Sequence, residues 1–315
     1  MPVVAVGTVL LIIGTVLLAL GNRLSLMAVG GLLQGAGSSA FLVATPALIR
    51  LDQRTHRLAL AVGISSLTGL IAPAAIALTD HVLSTGRVAL MLPIVWLLPF
   101  LAPSSWRQTE QAAPAAVEPT PPTTGSMTAD TWRRWTIIVL GVSAEFCFWT
   151  WGAARLVDGG ATDAAASGLV AAFAVGMALG RFAGPRRYFS LSPILTAVVI
   201  TSLAAVALAT DANLAVLVSG LFVAGFGIAV IYPIALAVLL EDRGLSEARL
   251  ISLAANASGV AITITPGFLG LLDRAMPIRY AFALVPILMA CVGWLTHHDR
   301  PALDSGLSSA TPQHR

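Results

Sequence analysis

The chain of 315 residues contains no lysine, has only two cysteines and carries just 10 % charged residues. Each shortage excludes something. A soluble domain has about 25 % charged residues. A charged fraction this low, beside 57 % hydrophobic residues and a mean hydropathy of +0.86, excludes an ordinary water-soluble fold. All eighteen basic residues are arginines, and they sit in the breaks between apolar runs rather than on one face. That spread lacks the footprint of a nucleic-acid binder. Cys147 and Cys291 lie singly in separate apolar runs, which suits packing and leaves neither a disulfide framework nor a metal site. No HExxH, G-x-S-x-G, Walker loop or metal-spaced Cys/His set is present, so the sequence points to no enzyme and implies no cofactor. The first twenty residues lack a basic n-region, and a cleaved leader is not expected.

Long apolar runs are what the chain has in abundance. Ten can be counted, at about 3–20, 26–49, 58–78, 88–102, 135–157, 164–182, 191–209, 213–240, 250–272 and 278–296. Runs of about 20 residues at 1.5 Å each span a bilayer, so the expected class is an all-α integral membrane bundle. The fourth run is short, and Pro93 and Pro99 are placed to bend it. Residues 103–133 are rich in Pro, Thr, Glu and Ala without helical period and read as a solvated linker. The expected division is a four-helix half at 1–102, that linker, a six-helix bundle at 134–297 and a disordered tail at 298–315.

An internal repeat relates the two halves. A shift of 190 residues places Gly30, Gly35 and Gly37 on Gly220, Gly225 and Gly227. In the next segment a shift of 193 places Leu60, Ala61, Ser65, Ile71, Pro73 and Leu78 on Leu253, Ala254, Ser258, Ile264, Pro266 and Leu271. Paired halves of this kind are common in secondary transporters. Under the same shift the fifth and sixth segments have no partners in the first half. Roughly 55 residues, one helix pair, are therefore expected to be missing from it. Thirteen of the eighteen arginines fall in the breaks at 50–57, 103–134, 181–190 and 241–249 and in the C-terminal tail. The remaining five lie near 23, 87, 155 and 274–279. The positive-inside rule then puts the linker and both termini in the cytoplasm of a cell whose plasma membrane holds the chain.

Within the fifth segment, Glu145 lies about 15 Å from Trp135, near the expected midplane. An ionisable group there costs at least ~2.5 kcal/mol and marks a functional position, such as a carboxylate that loads and releases a proton. A protonated glutamate that locks helix packing is the alternative. Phe148 and Trp149 share a helical face with Glu145, where an aromatic could stack on a sugar or hold a cationic amphiphile. Trp151 instead suits the interfacial aromatic belt, and Arg155 the outer interface. On the second segment Gln34, Ser38, Phe41 and Thr45 form one polar stripe that lipid would penalise, facing either a watery cavity or a neighbouring helix. Tyr232-Pro233 on the eighth segment can line the same cavity or bend the helix. Asn256 reads as a buried structural amide. Gly31-xxx-Gly35 and Gly176-xxx-Gly180-xxx-Gly184 allow close helix contact, and Pro73 and Pro266 interrupt equivalent helices where bundles could flex.

Two halves, a cytoplasmic linker and cytoplasmic ends resemble the major facilitator superfamily. The run Gly180-Arg181-Phe182-Ala183-Gly184-Pro185-Arg186-Arg187 resembles that family's Gly/Arg-rich cytoplasmic loop, without its usual acidic residue. The resemblance implies that the ten segments are helices 3–12 of a twelve-helix fold. It implies a gating role for Gly180, Arg181, Arg186 and Arg187. It also implies that the helices bearing Gln34 and Glu145 line a central cavity. Ala144-Glu145-Phe146, Trp149 and Gly176–Arg181 resemble the fucose-permease-like branch of sugar/proton symporters. Gly63, Gly69 and Ala72-Pro73 resemble a worn antiporter motif. The expected function is proton-coupled movement of a small organic solute by alternating access. The rivals are a drug or metabolite efflux antiporter and a non-transporting remnant or sensor. Expected partners are the solute, H+ and the lipid bilayer.

Overall fold

The computed structural model describes residues 2–48, 71, 75–76, 78–79, 82–83, 85–102, 126–183, 193–242 and 244–297. Among them every regular element is helical. They fall into two compact units, the first reaching Ala102 and the second beginning at Ser126.

In the first unit α1 (Pro2–Leu20) and α2 (Leu24–Leu48) are joined by a tight turn, and Gly21 N–H closes α1 by donating to Leu17 O at 2.8 Å. A third piece runs from Gly86 to Leu101 as 3-10 turns flanking the short α3 (Leu92–Leu97). Its fragmentation follows from Pro93 and Pro99, each of which removes an amide donor near the start of a new turn. Arg87 ties this piece to the α1–α2 turn by donating to Gly21 O at 2.8 Å. Phe41 stands edge-on to Phe100 at 5.5 Å, so this member of the polar stripe packs within its own unit.

The second unit contains α4 (Ala129–Asp158), α5 (Asp163–Leu169), α6 (Ala171–Ala183), α7 (Pro193–Ala209), α8 (Leu214–Ile228), α9 (Ile231–Leu240), α10 (Glu247–Ala275), α11 (Ile278–Ala281) and α12 (Leu284–His297). Among the described residues five stretches are long and apolar enough to cross a membrane: Ala129–Asp158, Asp163–Ala183, Leu214–Leu240, Arg249–Ala275 and Ile278–His297. Pro193–Ala209 is a shorter apolar helix. This is a multi-pass membrane protein.

Local chemistry sets the boundaries. The Thr128, Thr162 and Asn213 side chains accept from the amides of Thr131, Ala165 and Val216, capping α4, α5 and α8. Helix α4 therefore starts at Ala129, and the last residues assigned to the linker from sequence are its first turn. Gly160, at φ 94°, reverses the chain after α4 in a conformation that glycine adopts without strain. The α8–α9 and α11–α12 breaks fall at Ala229–Val230 and Phe282–Ala283. In each case a proline, Pro233 or Pro286, lies four residues after the first broken position, where its ring would clash with a helical carbonyl. At Pro266 the expected interruption is absent. Helix α10 runs on from Glu247 to Ala275, since one lost amide is tolerated within a bundle. Pro73 lies outside the described residues.

The repeat reappears as packing. A Cβ on Gly30 would meet Gly14 O at 3.0 Å and Leu18 Cγ at 3.1 Å, and one on Gly37 would meet Leu11 N at 2.8 Å. In the second unit a Cβ on Gly220 would meet Ala204 O at 3.6 Å and Leu208 Cγ at 3.4 Å, and one on Gly227 would meet Thr201 N at 3.1 Å. Each contact maps onto its counterpart by the same shift of 190. The units differ at Gly35 and Gly225. Gly35 has nothing within 4 Å, whereas Gly225 lies directly on the Phe173 carbonyl of α6.

Candidate functional site

Glu145 sits midway along α4, about 24 Å from its first residue and about 20 Å from its last. The Arg181 guanidinium approaches its carboxylate to 3.9 Å, and the Arg181 and Glu145 side chains are 12 % and 15 % exposed. Arg181 belongs to the last turn of α6 rather than to a loop. Its position is set one residue earlier. A Cβ on Gly180 would lie 2.6 Å from Phe226 O and 2.7 Å from Ala229 Cβ, so α6 and α8 cross at backbone distance there. Gly176 is held equally close to the Phe222 carbonyl.

Two further groups complete the cluster. Trp149, one turn along α4, lies beside the Glu145 carboxylate and stands edge-on to Phe173 at 5.3 Å. Tyr232, just past the α8–α9 break, lies within electrostatic reach of both Glu145 and Arg181 and beside Ser258 of α10. Ser258 donates its own proton to Ala254 O at 3.1 Å. The result is a carboxylate, a guanidinium, an indole and a phenol gathered inside one unit.

Other expected positions fall elsewhere. Phe148 is fully buried and stacks on Phe173 at 5.3 Å, with Phe282 at 5.9 Å. It is a core residue and not a surface on which a solute could stack, because Phe173 of α6 and Phe282, just past α11, cover it. Gln34, half-buried, and Ser38, exposed, lie on α2 of the first unit. Thr45 also lies on α2, and its side chain is outside the described residues, as are Arg186 and Arg187. Asn256 is exposed rather than buried. The neighbouring Ser258 faces inward instead. Trp151 packs on Gly270 of α10, whose added Cβ would lie 3.3 Å from the indole.

Charged groups at the two ends of the second unit hold it together. At one end Arg155, 1 % exposed, donates Nε to Leu208 O and Nη2 to Thr210 O, both at 2.7 Å, and Nη1 to Asp158 at 3.0 Å. It thereby caps the C-terminus of α7. Arg279 meets Asp211 at 3.1 Å at the same end. At the other end Asp242 accepts from Thr131 and from Gly244 N–H at 2.9 Å, and Arg134 donates to Val238 O at 3.1 Å. Desolvation pushes the Asp242 carboxyl up, but these two hydrogen bonds and the charge of Arg134 outweigh it and hold the group below the usual carboxylate range. Among the described residues no cluster of His, Cys, Asp or Glu could hold a metal ion.

No protein-family model matches the sequence, and no curated protein matches it. Solved structures are similar. A variant of the Escherichia coli fucose:proton symporter FucP superposes with a TM-score of 0.67 at 16 % identity, over 94 % of this chain and 83 % of that one. FucP in an outward conformation gives a TM-score of 0.68 at 16 % identity, over 94 % and 82 %. The human organic anion transporter TETRAN gives 0.65 at 14 % identity, over 93 % and 76 %. The chain thus carries the major facilitator fold, in a form similar to that of the fucose:proton symporter.

Proposed function

We propose that this protein is a secondary active transporter and not an enzyme. It moves a small polar organic solute by alternating access, coupled to protons through Glu145. The observation that carries the reading is the Glu145–Arg181 pair with Trp149 and Tyr232, placed at mid-helix in a bundle whose structural neighbours include a proton symporter. A buried carboxylate beside a fixed cation has two states of different charge, and a proton gradient can act on that difference. Gln34, Ser38 and Thr45 are proposed to contribute from the first unit, and Gly180 to keep α6 and α8 moving together. Pro73, Pro266, Arg186 and Arg187 are proposed to serve flexing and gating. The linker and both termini are proposed to face the cytoplasm of a plasma-membrane protein.

The test is flux in proteoliposomes under an imposed pH gradient, with and without a protonophore. Uptake predicts that the protonophore lowers accumulation in cells, whereas export through an antiporter predicts that it raises it. Glu145→Gln is expected to leave exchange of solute intact and to abolish its pH dependence. Unchanged pH-driven flux in that variant would remove Glu145 from coupling. Absence of saturable flux for a broad solute panel would favour a sensor or remnant.

A further inference from the structure

We infer that the exposed face of α2 is a dimer interface, on which α2 of a second copy of this chain seats in parallel. The internal repeat supplies the template. A shift of 190 carries Leu32, Gly35, Ala36 and Ser39 of α2 onto Phe222, Gly225 and Phe226 of α8 and Ala229 just past it. In the second unit all four positions lie against α6. Gly176 sits on the Phe222 carbonyl and Gly225 on the Phe173 carbonyl. A Cβ on Gly180 would lie 2.6 Å from Phe226 O and 2.7 Å from Ala229 Cβ. In the first unit the same four positions are exposed, Leu32 to 74 %. Among the described residues an added Cβ on Gly31 or Gly35 meets nothing within 4 Å. The opposite face of α2 is closed, since Gly30 and Gly37 pack on α1 as Gly220 and Gly227 pack on α7. One side of the repeat is filled in both units, and the other side in only one.

The contacts of α6 specify what the open face accepts. Gly176 lies opposite residue 222 and Gly180 opposite residue 226, so α6 runs parallel to α8 and meets it with small residues four apart. Such a crossing is held by van der Waals contact between backbones that small residues allow to approach. Helix α2 meets both conditions itself. Gly31, Gly35 and Ser39 recur every four residues along its exposed face. Ser39 donates to Gly35 O at 2.9 Å, so its hydroxyl brings no unpaired donor to the contact. With 25 residues α2 is about 37 Å long, enough to cross a bilayer. Two copies inserted the same way, related by a twofold axis along the membrane normal, present parallel α2 helices to each other. Helix α6 of a second copy cannot serve, because its glycines are already held against its own α8.

The experiment uses the full chain in lipid vesicles, with Cys291→Ser removing the exposed thiol and Cys147 left buried. Ser39→Cys reports on the proposed contact. Val29→Cys is the control, at an exposed position about 120° round the helix from Gly35. Oxidation with copper-phenanthroline is expected to give at least about fivefold more covalent dimer from Ser39→Cys than from Val29→Cys, a ratio that roughly tenfold dilution with lipid leaves in place. Adding Gly35→Ile to the Ser39→Cys chain should cut the dimer at least about fivefold. Its circular dichroism should stay that of the parent, since the new side chain meets nothing within its own chain. Gly31→Ile, at the other open glycine, should do the same. Equal yields at positions 29 and 39, a dimer that fades in proportion to dilution, or a yield that both isoleucine variants leave unchanged overturns the inference. A chain that stays monomeric in vesicles also overturns it, and leaves the face to a helix of another protein. No solute enters the measurement, so its failure leaves the transporter reading standing.

Discussion

Replacing Arg155 with Met removes three donors while nearly preserving volume, and the outcome can be worked from the contacts. The Leu208 and Thr210 carbonyls belong to the end of α7, where no helical amide reaches them. Hydrogen bonds to a charged group contribute about 1.5–3 kcal/mol each, so two give roughly 3–6 kcal/mol. The Asp158 contact adds little, because that carboxylate is 38 % exposed. Against this stands the desolvation that a buried guanidinium no longer suffers in the variant, which brings the net loss to about 3 kcal/mol. For a unit of this size about 3 kcal/mol lowers the melting temperature by roughly 6–12 °C. The assay is tryptophan-fluorescence melting of the purified chain in detergent. Arg155→Lys is expected to recover about half of the loss, since an ammonium reaches one carbonyl but lacks the fork. If Arg155→Met melts within 2 °C of the parent (against the roughly 6–12 °C expected), the clamp carries no net stability and the reasoning fails.

Three other outcomes follow from the packing and the caps. Gly176→Ala and Gly225→Ala each drive a Cβ into a backbone carbonyl, of Phe222 and Phe173, and should abolish a monodisperse peak in size-exclusion chromatography, whereas Gly35→Ala, with nothing within 4 Å, should leave it intact. The Asp242 carboxyl is held below its unfolded value, so its contribution is present above about pH 3.9 and is lost as pH falls through the folded value. Asp242→Asn should therefore flatten the acid limb of a melting-temperature profile recorded from pH 7 to pH 3. Gly160→Ala places a side chain at φ 94° and should cost about 1–2 kcal/mol in the same melting assay, with no change in the α4–α5 core.

Much of the second unit is legible because its signals are local. Six apolar runs, three capping side chains and the prolines at 233 and 286 mark where helices start, stop and break. Glu145 is legible because a carboxylate in an apolar run has no cheap alternative. Its partner is not. Arg181 follows a glycine and precedes further arginines, a composition that reads as loop. Only the depth of α6 against α4 and the close crossing at Gly180 show that its side chain reaches inward. Phe148 misleads for the opposite reason: helical periodicity puts it beside Glu145 but says nothing of Phe173 and Phe282, which cover it. Ser258 is hidden because a hydroxyl in a helix has its own backbone carbonyl to bond, here that of Ala254.

The glycines at the helix crossings bear on how far such a sequence can wander. Where backbone meets backbone, at Gly176, Gly180, Gly225 and Gly37, the contact is defined by an atom that is missing. Such a site has a one-letter alphabet, while the exposed Leu, Val and Ile positions around it have a long one. The instructions for the fold are therefore concentrated in a few characters and absent from most others. A chain can then share 16 % of its residues with a distant structure and still trace the same path.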